Sequence, residues 1–186
     1  CSADDYTLQV RISDNHETRF AQNAVTQHIA GATTDIDLEV AFGDKTGGCG
    51  VNQSDPASLD FLIKTAEDMA KLNKPDPEFM PSVGAQTLPQ ANNADPATQN
   101  LDPAKMVEIV QSAIAKAKAY GATVSGMTEK HWSERFMATK NGFSGSDAAT
   151  EFGHSMTIKK DSVETKVSYS AKDFGGFSLD RDFAQL

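Results

Sequence analysis

Tyr6-Thr7-Leu8-Gln9-Val10-Arg11-Ile12 sets apolar side chains at its even positions against polar ones at its odd positions. A period of two is the mark of a β-strand with one buried face. The same alternation returns in Ile36, Leu38, Val40 and Phe42, and the Gly43-Asp44-Lys45 that follows has the chemistry of a hairpin turn. Between these runs, Asp14 and Asn15 predict a turn. Arg19 to Ala21 then predicts a second strand and Val25 to Ile29 a third, which makes Ile36 to Phe42 the fourth.

The period changes after Asp55-Pro56, where Asp can cap a helix and Pro can open it without losing a needed N–H. Leu59, Leu62, Ile63, Ala66, Met69 and Ala70 then fall at three- and four-residue steps, predicting a helix to about Leu72 with one buried stripe. From Asn73 to Leu101 periodicity disappears and five prolines occur, at 75, 77, 81, 89 and 96. So long a stretch without regular structure is uncommon unless it packs, and Phe79, Met80, Val83 and Leu88 are apolar residues that could be buried. Asp102-Pro103 repeats the cap signature. Met106, Val107, Val110, Ala113, Ile114, Ala117 and Tyr120 mark a second long helix, which Gly121 ends.

Beyond Gly121 the strand pattern resumes at an offset of 116 residues from the first half. Arg19-Phe20 falls on Arg135-Phe136, Ala32 on Ala148, Thr34 on Thr150, Asp35 on Glu151, Val40 on Met156 and Val51 on Val167. A hairpin signal at Lys160-Asp161 and a second Ser-Leu-Asp, at 58–60 and 178–180, recur with them. The expected fold is α+β: two related antiparallel sheet-plus-helix units, the product of an internal duplication, joined by a Pro-rich crossover and a helix. The expected divisions are residues 1–72, 73–101 and 102–186, which together make one amino-terminal domain of a longer protein.

With 186 residues the chain can bury a genuine core. Its 39% apolar and 23% charged residues fit an ordinary cytosolic globular protein. A net charge of −9, from 26 acidic and 17 basic residues, disfavours nucleic acid, which demands clustered Lys and Arg. No apolar run is long enough to cross a bilayer as a helix. Cys1 and Cys49 make no disulfide framework, although a terminal Cys-Ser would suit either a lipidated terminus or a trimmed fragment.

Catalytic constellations are missing from the text. His16, His28, His131 and His154 lack the one-turn helical spacing of a zinc site. Gly43, Gly47, Gly48 and Gly50 surround Lys45 and Thr46 in the wrong order for a phosphate loop, and fit a turn with a bulge. Cys49 has no helix start or base beside it, so a hydrolase built on Cys49 with His16 or His28 is a minor alternative. Gly142-Phe143-Ser144-Gly145 reads as turn chemistry and Trp132 as an amphipathic strand residue. No catalytic, cofactor-binding or metal-ligating residue is assigned.

Arg19-Phe20-Ala21-Gln22-Asn23, the run from Thr33 to Phe42, Asp76-Pro77-Glu78-Phe79-Met80-Pro81 and Gly84-Ala85-Gln86 resemble the TldD/PmbA peptidase family. In the second half, Gly-Ala-Thr-Val-Ser-Gly at 121–126 and Ala138-Thr139-Lys140-Asn141-Gly142-Phe143 continue the resemblance, which spans nearly the whole chain. The Pro-Glu-Phe-Met-Pro stretch looks more like the PmbA branch, also called TldE. Members are roughly twice this length and usually begin with a helix ahead of the first strand, so Cys1 to Asp5 would be that helix's end.

The resemblance implies a non-catalytic amino-terminal domain of a peptidase subunit. Such a domain would serve assembly and substrate access in the cytoplasmic processing of peptides or small unfolded proteins. The family's zinc-binding His-Glu-x-x-x-His helix lies beyond the region covered, so no zinc is expected here, and any zinc would sit in a TldD-like partner. Self-association is the other arrangement it allows. An older description, modulator of DNA gyrase, also attaches to the family, while the acidic charge disfavours direct DNA contact. The alternative is a stand-alone binding module, lipid-anchored through Cys1.

Overall fold

The computed structural model describes residues 1–89 and 91–184. Over these described residues the architecture is α+β, with four helices and a six-stranded antiparallel sheet of order β3-β2-β1-β4-β5-β6. The strands are β1 (Asp5–Ala21), β2 (Ala24–Phe42), β3 (Lys45–Val51), β4 (Thr123–Thr139), β5 (Ser144–Lys160) and β6 (Val163–Ala171). The helices are α1 (Pro56–Leu72), α2 (Pro96–Gln99), α3 (Pro103–Ala119) and α4 (Leu179–Phe183).

The two long helices form where the Asp-Pro signals put them. The Asp55 carboxylate accepts from the N–H groups of Ala57 and Ser58, and Asp102 accepts from Ala104 N–H at 2.8 Å. Gly121, just past α3, takes a φ of +68°, a left-handed turn that a side chain would strain. Met69, counted in the apolar stripe of α1, faces outward instead.

The strands differ from the expected pattern. No turn occurs at Asp14-Asn15: β1 runs unbroken for 17 residues, and β2 joins the expected third and fourth strands into one of 19. Mid-strand polar residues usually signal a break because burying them is costly, but here they are neutralised in place. Asp14 meets His16 Nε2 at 3.2 Å and the buried Lys130 ammonium at 3.3 Å, and Lys130 also donates to Gln99 O at 3.1 Å. Asn15 Oδ1 is hydrogen-bonded with His131 Nδ1.

The chain divides into two compact units with interleaved segments. The first comprises residues 1–13, 33–91 and 134–147. Its core is Ile36, Leu38 and Val40 of β2 against Leu62, Ala66 and Ala70 of α1. The second comprises residues 14–32, 92–133 and 148–186, of which 185 and 186 lie outside the described residues. There Val110, Ala113, Ile114 and Ala117 of α3 pack on Phe20, Val124, Met156 and Ile158. Leu101, Met106 and Phe152 form a smaller cluster.

The gapless register of 116 does not hold at the turns. Gly43 and Asp161 take positive φ in the two outer hairpins and lie 118 positions apart.

The Pro-rich segment contains α2, where no regular element was expected, and it is held differently from the apolar packing its composition suggests. Phe79 is half-buried, but Met80 is 82% exposed, and Val83 and Leu88 are also exposed. Hydrogen bonds fix it instead. In the first unit Ser82 donates to the Asp5 carboxylate from its N–H (2.6 Å) and its hydroxyl (2.5 Å), and Thr139 Oγ1 donates to Val83 O at 2.7 Å. In the second, Asp95 N–H donates to Thr150 Oγ1 at 2.8 Å and Lys172 Nζ to Asn92 O at 2.9 Å.

Candidate functional site

The glycine-rich run after Gly43 is a regular strand without a bulge. From Lys45 to Val51, β3 pairs residue for residue with β2, and only Gly43 serves the turn, at φ +60°. In an antiparallel ladder alternate residues exchange hydrogen bonds with the neighbour while those between turn their N–H and C=O away. Two contacts fix which is which. Ala41 O, opposite Thr46, accepts from Asp4 N–H at 2.9 Å, and Thr46 O accepts from Asn73 Nδ2 at 2.8 Å, so this pair faces outward from the β2/β3 ladder. Gly48 and Gly50 share the phase of Thr46.

Since β3 ends the strand order, the outward backbone groups of Gly48 and Gly50 lie on a free edge. Both glycines are exposed, and the weak contact of the Cys49 thiol with Gly50 O, at 3.8 Å, is the side-chain hydrogen bond they receive among the described residues.

One face of this edge is closed and the other open. Gly47 lies against α1 so tightly that a Cβ would meet Ala70 N, with Ala66 O at 2.7 Å. On the opposite face a polar groove of about 570 Å³ is lined by Thr7, Gln9, Asp37, Glu39, Gly48 and Gly50 among others. Asp37 stands opposite Gly50 and Glu39 opposite Gly48. The Asp37 carboxylate leans into the space a Gly50 side chain would fill, its Oδ1 only 2.6 Å from such a Cβ. Asp35, Asp37 and Glu39 alternate with buried Ile36, Leu38 and Val40, so all three exposed carboxylates share one face of β2. None of them forms an ion pair among the described residues.

Cys49 packs against the apolar core of the first unit, and Gly50 O is its hydrogen-bond partner there. His16 and His28 belong to the second unit, where their rings lie 5.8 Å apart and Thr18 Oγ1 bonds His28 Nδ1 at 2.8 Å. His154 is buried beside Phe20 and Phe177 with Thr128 Oγ1 at 2.8 Å from Nδ1, and burial pushes its pKa down to about 4. Trp132 is a half-buried residue of β4. Among the described residues no three His, Cys, Asp or Glu side chains converge to hold a metal. The acidic row escaped notice in the sequence because alternation was read for its apolar half; Asp35, Asp37 and Glu39 were the signal.

Residues 96–185 match the family described as PmbA/TldA metallopeptidase central domain. Several solved structures share the fold, three of them as follows. TldE from Thermococcus kodakarensis has a TM-score of 0.80 at 19% identity, with 93% of this chain and 41% of that one covered. A protein of Thermotoga maritima described as a candidate modulator of a DNA gyrase gives 0.71 at 12% identity, covering 89% of this chain and 38% of its own. Another so described, from Bacteroides thetaiotaomicron, gives 0.71 at 15% identity, covering 90% and 40%. This chain therefore spans about two fifths of the length of these proteins. No curated protein matches it by sequence. The metallopeptidase description implies a metal, and the described residues do not supply a site for one.

Proposed function

Because the chain carries a domain of the TldD/PmbA family, we propose that it is the non-catalytic part of a peptidase subunit, acting in assembly and substrate access. The observation that carries this reading is the family match over 96–185 in a chain whose described His, Cys, Asp and Glu form no ligand set. Zinc and the scissile chemistry then belong to a TldD-like partner. The substrates are peptides or small unfolded proteins handled in the cytoplasm, for which a sheet edge that reads backbone is suited. We also read the two halves, 1–72 and 102–186 around the 73–101 crossover, as one ancestral unit duplicated. The mirrored strand order supports this.

The test is co-expression with a TldD-like subunit carrying His-Glu-x-x-x-His, followed by size-exclusion chromatography. Co-elution as one complex is expected. Separate elution of two folded proteins would overturn the partner assignment.

A further inference from the structure

We propose that the free edge of β3 takes up an extended peptide bearing lysine or arginine at alternate positions. Its backbone would pair with Gly48 and Gly50, and its basic side chains would lie against Asp37 and Glu39. The inference deepens the substrate-access reading above and rests on it. The edge offers outward N–H and C=O groups at Gly48 and Gly50, two residues apart, the spacing at which an added strand bonds.

Charge complementarity selects the occupant. Neighbouring strands lie about 4.8 Å apart, so a strand added beyond β3 would run about 10 Å from the acidic row of β2. Between them, β3 presents glycine at 48 and 50, and no side chain there blocks the crossing. A long basic side chain can lie flat over this bare strand and reach a carboxylate, whereas a short side chain falls short and an acidic one is repelled. The acids repeat every second residue, the period at which side chains of an extended peptide share a face. All three lack an ion-pair partner among the described residues, so a peptide would displace no existing bridge.

The test uses the 186-residue protein and three labelled nine-residue peptides, alternating Lys-Val, Thr-Val and Glu-Val. Fluorescence anisotropy should rank Lys-Val at least about tenfold tighter than Thr-Val, with Glu-Val weakest, and the preference should shrink with salt. Binding should slow amide hydrogen exchange at Gly48. The D37N/E39Q variant should lose the Lys-Val preference while keeping Thr-Val affinity. Gly48→Pro removes an outward N–H without touching the β2 ladder and should weaken all three peptides, with thermal unfolding confirming the fold. Gly48→Leu keeps the N–H but fills the bare strand, and should lose the Lys-Val preference alone. Equal binding of the Lys-Val and Glu-Val peptides would overturn the proposal, and so would unchanged Gly48 exchange on binding. Because no partner subunit enters the assay, its outcome is separable from co-elution: peptide binding without complex formation would sink the subunit reading and leave this one standing.

Discussion

Gly47 is the point in β3 where the main chain of α1 comes closest, and it leaves no room for a methyl group. Gly47→Ala would press a Cβ onto Ala70 N and Ala66 O, backbone atoms of a helix that cannot yield singly. The expected cost is about 1–3 kcal/mol, read as a lowered denaturation midpoint, whereas Gly48→Ala, whose Cβ meets only ordinary contact with Leu38 O, should be near neutral. In the second unit His154 lies between the rings of Phe20 and Phe177, and its Nε2 has no hydrogen-bond partner among the described residues. Its folded pKa, about 4, lies below the ordinary 6.5, so the unfolded chain takes up the proton first as pH falls. The associated stability is intact above pH 6.5 and is lost progressively down to about pH 4, by roughly 3 kcal/mol at most. Unfolding midpoints of the wild type and of a His154→Leu/Thr128→Val variant, measured from pH 7 to 4, should diverge over that window. Parallel curves would remove His154 as the cause.

At the scale of elements, the Pro-rich segment depends on a few polar anchors. Burial alone would push the Asp5 carboxyl up, but the hydrogen bonds from Ser82 and from Tyr6 N–H, with the Lys140 charge, together hold the group below the usual carboxylate range. Asp5→Ala should therefore raise thermolysin cleavage between Phe79 and Leu88 by at least about tenfold, while α1 and α3 stay intact. Unchanged cleavage would mean that the anchor lies elsewhere. The helices were legible because their determinants are local: Asp55-Pro56 and Asp102-Pro103 cap within three residues of themselves. The strand lengths were not, because Asp14 and Lys130 neutralise each other from positions far apart in the chain. The β3 edge was hidden, since nothing in Gly47-Gly48-Cys49-Gly50 tells which glycine faces the helix and which faces out. Only the register with β2 does.

At the scale of the molecule, the chain spans about two fifths of the proteins whose fold it shares, and its described residues hold no metal-ligand cluster. Division of labour follows if chemistry is lodged in a partner and this chain contributes architecture and access. With a net charge of −9, the chain would attract the basic extended segments proposed for the β3 edge. The measurement that bears most directly on this is zinc content together with hydrolysis of an unfolded peptide, for the purified chain alone and for the chain in complex with a TldD-like subunit. The account predicts no stoichiometric zinc and no hydrolysis for the chain alone, and both in the complex, with the zinc lost when the partner's motif is mutated. One tightly bound zinc per chain, with hydrolysis by the chain alone, would contradict it.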